Sequence, residues 1–212
     1  MSMQLDQEII LAVPKGRVLK EVLPLLARMG VEPEESLTSS RKLLFSTNVD
    51  KLKLLIVRAT DAPVYVREGA ADIGIVGKDV MLEEGAEGLG EYLDLAIAPC
   101  RLCLASTGAV PDPATKIRIA TKYVNVAQKW FAEKGQPIEL IKLYGSMELA
   151  PLVGLADFIV DLVETGNTLK ANGLKVVQDL MPISSRVIFN PIAKKTKHQS
   201  MEVVLSHFTK HK

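Results

Sequence analysis

The chain has 212 residues, 48% of them hydrophobic and 24% charged, with 26 lysines and arginines against 25 acids and a formal net charge of +1. These are globular values, and the length suffices for one large domain or two small lobes. A balanced charge speaks against a dedicated nucleic-acid binder, and no apolar run approaches the roughly 18–20 residues that cross a bilayer.

At the N-terminus, Asp6 and Glu8 precede a short apolar stretch. A secretory signal needs a positive start and a longer apolar region, so a cytoplasmic protein is expected. Residues 9–13 read as a short buried strand and Pro14-Lys15-Gly16-Arg17 as a turn. The spacing of Val18, Val22, Leu25, Leu26 and Met29 predicts the inner face of a helix ended by Gly30. Pro24 is expected either to kink this helix or to mark a later start. Strands are expected at 43–46 and 52–57, with Asn48 and Asp50 in the turn between them. Asp61 is expected to cap a short helix that reaches Glu68 and holds Pro63 in its first turn. Residues 72–76 read as a buried strand, and Gly77-Lys78-Asp79 as the start of a helix ending near Gly85.

From about residue 96 the pattern restarts. Strands at 102–106 and 117–120 lead to a helix at 124–133 that bears Trp130. A strand at 138–143, a short helix at 147–152 and a strand at 158–162 follow. Strands at 174–179 and 187–190 and a helix at 196–209 close the chain. Met201, Val204, Leu205 and Phe208 form the expected buried face of that last helix. This alternation predicts an α/β architecture with mainly parallel sheets. Two successive units suggest two lobes and a cleft, with ligands at the carboxyl ends of strands.

Cys100 and Cys103 form the only CxxC. There is no second cysteine pair, and His198, His207 and His211 all lie in the C-terminal tail, so zinc is poorly supported. The alternation through Arg101-Leu102-Cys103-Leu104-Ala105 suits a plain strand thiol, whereas a redox CxxC should open a helix.

The chemistry concentrates in residues 148–169, ELAPLVGLADFIVDLVETGNTL. An apolar strand carries Asp161, then Glu164, and empties into Thr165-Gly166-Asn167-Thr168 ahead of a helix start. Such a turn aims several backbone N–H groups one way, and a glycine lets an anion approach. The hydroxyls of Thr165 and Thr168 add donors. Asp161 and Glu164 can accept hydrogen bonds from vicinal ribose hydroxyls while the turn grips a 5-phosphate. The other reading is an ordinary Thr/Asn/Gly turn with a strand-end carboxylate. Lys15 and Arg17, with Gly16 between them, and Arg58 just past LKLLIV, sit at expected strand ends. There they serve either as phosphate-binding cations or as solvated surface charges. Glu148 either reaches the sugar or caps its own helix.

The same segment fits without a gap the pattern Glu148, five residues, Gly154, one, Ala156, two, Ile159, one, Asp161-Leu162, two, Thr165-Gly166, one, Thr168-Leu169. That pattern resembles the signature of the ATP phosphoribosyltransferase family. AVPKGR at 12–17, RATDAPVYVREGAADIGIVGKD at 58–79, CRL at 100–102 and YGSMELAP at 144–151 are similar to the same family, so the resemblance spans nearly the whole chain.

The resemblance implies a two-lobed type II periplasmic-binding-protein-like architecture with a central cleft. Lobe one would comprise residues 1–95 plus 176–212. Lobe two, residues 96–175, would be inserted and carry the phosphoribosyl-binding turn. The implied activity joins adenine N1 of ATP to C1 of 5-phosphoribosyl 1-pyrophosphate and releases pyrophosphate, the first step of histidine biosynthesis. Lys15, Arg58, Asp161 and Glu164 are the implied catalytic residues. Gly16, Arg17, Glu148, Thr165, Gly166, Asn167 and Thr168 are the implied substrate contacts. Mg²⁺ is expected to be held mainly by substrate phosphates, with no dedicated protein site. The resemblance is to the family's short form, which implies a homodimer within a hetero-octamer containing a histidyl-tRNA-synthetase-like regulatory subunit, and no nucleic-acid or membrane partner. Beside this reading stand a solute-binding module of the same fold, a phosphoribosyltransferase for another base, and a scaffold whose catalysis has lapsed.

Overall fold

The structure is a computed structural model and describes residues 3–37, 40–108 and 116–212. The chain divides into two compact units, Met1–Ala98 with Ser184–Lys212, and Pro99–Ile183. The second is therefore an insertion in the first. The crossings fall at 98/99 and 183/184 rather than at the expected 95/96 and 175/176.

Numbered along the chain, the first unit starts with β1 (Ile9–Pro14), α1 (Arg17–Arg28), β2 (Leu44–Ser46), β3 (Leu52–Val57) and α2 (Ala62–Arg67). It continues with β4 (Ile73–Gly77), α3 (Lys78–Glu84) and β5 (Gly90–Asp94). The second unit holds β6 (Cys100–Ser106), β7 (Ile117–Thr121), α4 (Val124–Glu133), β8 (Ile138–Lys142) and α5 (Leu149–Leu152). It ends with β9 (Phe158–Val163), α6 (Asn167–Ala171) and β10 (Lys175–Ile183). The chain then returns to the first unit as β11 (Ser185–Phe189), α7 (Pro191–Thr196) and α8 (His198–His211).

The first sheet has the order β2-β3-β1-β4-β11-β5. Its centre, β3-β1-β4, is parallel, while β2, β11 and β5 pair antiparallel. Both faces are covered. Ile9, Leu11 and Val13 meet α1 and α8, whereas Ala12, Val57 and Val76 meet α2 and α3. A strand buried on both faces has no polar side, which is why IILAV and LLIV read as continuous apolar runs. The second sheet has the order β10-β6-β9-β7-β8. β9, β7 and β8 are parallel, and β6 and β10 pair antiparallel. The sheets are thus mixed rather than mainly parallel: the first has a parallel centre with antiparallel margins, and the second is parallel on one side, out to its edge strand β8, and antiparallel on the other.

Several expectations shift for physical reasons. α1 runs unbroken through Pro24. Asp61 makes no side-chain cap to α2; its carboxylate instead accepts the Thr60 hydroxyl at 3.2 Å. The expected single tail helix is two. Asn190 caps α7 by accepting the amides of Ile192 and Ala193 at 2.8 and 2.9 Å. Its side-chain nitrogen donates to the carbonyls of Val66 and Arg67, tying the tail to α2. β10 belongs to the second unit because all of it, from Lys175↔Ser106 to Ile183↔Cys100, is laced to β6. That pairing carries the second crossing eight residues beyond the expected boundary.

Candidate functional site

In the second unit, β9 is the central strand of its sheet, and Ile159, Asp161 and Val163 share one face. Ile159 and Val163 are buried there with Met147, Ala150 and Leu169 from around α5 and α6. Asp161 is thus a half-buried carboxylate on an otherwise apolar face, and its Oδ1 accepts the Leu162 amide at 2.8 Å. Two residues past the strand end, Thr165 and Gly166 make the turn. Gly166 has φ 78° and ψ 5°, the left-handed conformation that a side-chain-bearing residue adopts only at a cost. A Cβ there would meet only Val163 Cγ1, at 3.8 Å, so backbone conformation and not crowding demands the glycine.

α6 has only five residues, so the expected contribution of a helix dipole is small. The anion-binding capacity of this turn lies in its amides. Those of Asn167, Thr168 and Leu169 have no acceptor four residues back within the helix, while the Lys170 amide bonds the Gly166 carbonyl at 3.0 Å. The Thr165 hydroxyl accepts the Asn167 amide at a long 3.4 Å, which orients it and leaves its own hydrogen available to donate. Glu164, Thr165, Asn167 and Thr168 are exposed at this strand end. Glu148 stands at the start of α5 on the same sheet face and makes no side-chain capping bond, so the capping role is not realised.

Register reveals charged neighbours that the sequence reading missed. Asp161 lies opposite Cys103 on β6, and Cys103 lies opposite Asp179 on β10. The Cys103 thiol donates to Asp179 Oδ1 at 3.2 Å, and Arg101 Nη1 lies 2.6 Å from Asp179 Oδ2. The thiol bond and the guanidinium hold the Asp179 carboxyl below its usual range. Burial, then the Asp179 carboxylate, push the Cys103 thiol up to about 12. A thiol held this firmly protonated is a poor nucleophile. Cys100 packs in the core on the opposite face of β6, so a disulfide between the two is excluded. The reading of CxxC as plain strand thiols therefore holds on geometry. Only the pairing of strands distant in sequence could have found Arg101 and Asp179.

The remaining candidates lie in the first unit. β1 and β3 are parallel with Pro14 opposite Val57, and the Lys15 amide continues the ladder by donating to the Val57 carbonyl at 2.8 Å. Lys15 and Arg58 consequently stand side by side at the carboxyl ends of adjacent strands. Gly16, at φ 89°, turns the chain into α1, whose first residue is Arg17. The structure thus brings Lys15, Gly16, Arg17 and Arg58 to one sheet edge, the position where α/β folds take ligands.

Among the described residues, no group of three or more histidine, cysteine, aspartate or glutamate side chains could hold a metal ion. Among the same residues no helix is long and apolar enough to cross a membrane.

Comparison with known proteins decides the family. The model of the family described as HisG: ATP phosphoribosyltransferase matches residues 58–210. An ATP phosphoribosyltransferase of Azoarcus sp. (strain BH72) is 55% identical over 205 residues, covering 94% of this chain and 96% of the relative. The chain belongs to the ATP phosphoribosyltransferase family. The ATP phosphoribosyl transferase (HisG:HisZ) complex from Thermotoga maritima superposes with a TM-score of 0.81 at 35% identity, covering 95% of this chain and 97% of its own. The alkanesulfonate-binding protein SsuA from Xanthomonas axonopodis pv. citri, bound to MOPS, gives a TM-score of 0.60 at 13% identity, covering 98% and 73%. That likeness shows the fold, a two-lobed type II periplasmic-binding-protein-like architecture. An ATP phosphoribosyltransferase is a glycosyltransferase, and its reaction, adenine N1 of ATP joined to C1 of 5-phosphoribosyl 1-pyrophosphate, opens histidine biosynthesis.

Proposed function

We propose that the turn after β9 holds the 5-phosphate of 5-phosphoribosyl pyrophosphate while Asp161 and Glu164 accept hydrogen bonds from its ribose hydroxyls. The observation carrying this reading is the left-handed Gly166 turn that follows a strand bearing Asp161 between the buried Ile159 and Val163. Thr165 and Thr168 donate hydroxyls, Asn167 donates its amide, and Glu148 reaches toward the sugar. Lys15, Arg17 and Arg58, with the Gly16 turn, supply positive charge to the pyrophosphate and the triphosphate of ATP.

Adenine N1 carries a lone pair, so no general base is needed. The N1–C1 bond forms as the C1–O bond to pyrophosphate breaks, and the bonding electrons leave with that oxygen. Catalysis then consists of aligning N1 with C1 and stabilising the departing anion. Asp161 and Glu164 favour positive character at C1, and Arg58 and Lys15 stabilise the leaving group. Mg²⁺, bound mainly through substrate phosphates, would supply charge neutralisation and orientation of the pyrophosphate.

The assembly reading rests on the Thermotoga neighbour, which is a HisG:HisZ complex. This chain would form a homodimer that binds a histidyl-tRNA-synthetase-like regulatory subunit in a hetero-octamer, in the cytoplasm. The direct test is a crystal soaked with 5-phosphoribosyl pyrophosphate. Density with the 5-phosphate on the amides around Gly166 is the expected result, and density elsewhere removes the assignment. Turnover with ATP but not with free bases separates this activity from that of other phosphoribosyltransferases.

A further inference from the structure

Arg17 occupies an unfavourable place. It is the first residue of α1, whose first turn holds no acid, and a cation at a helix N-terminus opposes the helix dipole. Its Nε lies 3.2 Å from Oε1 of Glu21, one turn further along. This Arg-then-Glu order is the weaker of the two possible i,i+4 arrangements. Both side chains are about one-third exposed, so the pair adds little to stability by itself. Helix stabilisation does not account for it.

The second oxygen of Glu21 makes a bond of a different kind. Oε2 accepts the backbone amide of Ala98 at 2.6 Å, across 77 positions of sequence. Ala98 is the last residue of the first unit before the chain crosses into the second. Ala98 and Ala96 have φ of 49° and 54°, left-handed conformations that are unfavourable for a residue with a Cβ. Such strain persists only where surrounding bonds over-determine it. Here two carboxylates provide those bonds. Asp94 accepts the Ala96 amide at 2.8 Å, and is itself held by Arg186 at 2.5 Å and the Ser184 hydroxyl at 2.9 Å. Glu21 provides the other, and it reaches in from the helix that Arg17 begins.

We infer that Glu21 is a positioning residue that aims the Arg17 guanidinium at substrate phosphate and, through its other oxygen, ties that aim to the strained crossover at Ala98. This rests on the proposed role of Arg17 as a phosphate contact. One carboxylate joins a substrate-binding cation to a segment that links the two units.

Two substitutions divide the two bonds. Glu21→Gln keeps an oxygen for the Ala98 amide but removes the charge facing Arg17, whereas Glu21→Ala removes both. Steady-state kinetics should be measured with the regulatory subunit present. Glu21→Gln is expected to raise KM for a phosphate-bearing substrate roughly three- to tenfold with kcat little changed. In an Arg17→Ala background the same change should have no further effect, because the partner it acts through is gone. Hydrogen exchange of the Ala98 amide should quicken in Glu21→Ala and stay near the parent rate in Glu21→Gln. Additive effects of the Arg17 and Glu21 changes on KM, or an Ala98 amide indifferent to Glu21→Ala, would overturn the inference while leaving Arg17 in its role. An Arg17→Ala protein with unchanged KM for both substrates would remove that role itself, and the coupling with it.

Discussion

In the first unit a central parallel strand ends at Pro14, turns through Gly16 at φ 89° and enters α1; in the second, β9 ends at Val163, turns through Gly166 at φ 78° and enters α6. The backbone device is the same and its electrical surroundings are opposite. Around Gly16 stand Lys15, Arg17 and, one strand over, Arg58. Around Gly166 stand Glu164, Asp161 and, on the same sheet face, Glu148. A turn whose amides already attract anions needs no cation to bind one phosphate. It can carry carboxylates, which suit the hydroxyl-bearing sugar attached to that phosphate. A pyrophosphate or triphosphate, with several charges and no hydroxyls, requires the cationic version. On the proposed binding mode, the substrate's own charge distribution accounts for the asymmetry.

The comparison fails outright if either cluster is dispensable. Arg58→Ala and Asp161→Asn are each expected to lower turnover on the order of 100- to 1000-fold, the usual scale for a lost transition-state contact. Thermal unfolding should stay near the parent value, because Arg58 is exposed and Asp161 half-buried. Near-normal rates in both variants would remove the mechanism. A finer test exchanges the glycines. Gly16→Ala and Gly166→Ala each meet little steric obstruction but retain positive φ, so each should cost about 1–2 kcal/mol in unfolding experiments. Only Gly166→Ala should also raise KM for 5-phosphoribosyl pyrophosphate more than KM for ATP. Equal effects on both would erase the division of labour.

A smaller effect separates the second unit by pH. The hydrogen bond from the Arg118 side chain, then the Arg118 backbone amide, hold the Asp157 carboxyl below its ordinary 3.8. The stabilisation is complete above that value and is lost as pH falls through the depressed value in the folded protein. Asp157→Asn should therefore cost about 1 kcal/mol at neutral pH and progressively less as the pH falls below the ordinary carboxylate range, read as a flatter acid limb in urea titrations. The smallest expected effect is at Cys103. With its thiol pushed up to about 12, alkylation of the native protein at pH 8 should leave it unlabelled, and Cys103→Ala should turn over at close to the parent rate. Labelling as fast as that of an unfolded control would show that the Cys103–Asp179 bond is not held.

What the sequence disclosed tracks burial. Strands covered on both faces, such as Leu52–Val57, and the helix Val124–Glu133 are read to the residue because their apolar pattern is strong. β5 escaped notice because Gly-Glu-Tyr-Leu-Asp is half-exposed and opens on a glycine that accommodates the Phe189 ring; a Cβ at Gly90 would sit 2.1 Å from it. β10 was cut short because most of it is exposed and two irregularities break its alternation. At the site, the β9 motif was legible since strand, acid and turn are contiguous. The Arg101–Asp179–Cys103 cluster and the Glu21–Ala98 bond were not, because each joins segments that only the folded chain brings together.

The insertion has a consequence for biosynthesis. β11 is flanked by β4 on one side and β5 on the other. Until Ser185–Phe189 has left the ribosome, β5 lacks its neighbour and β4 keeps an open edge, even though both are made before the inserted unit. Residues 99–183 emerge meanwhile as a contiguous stretch containing its whole sheet. The nascent chain should therefore mature from the insertion outward, with the earlier-made portion waiting unfinished for a strand that follows the whole inserted unit.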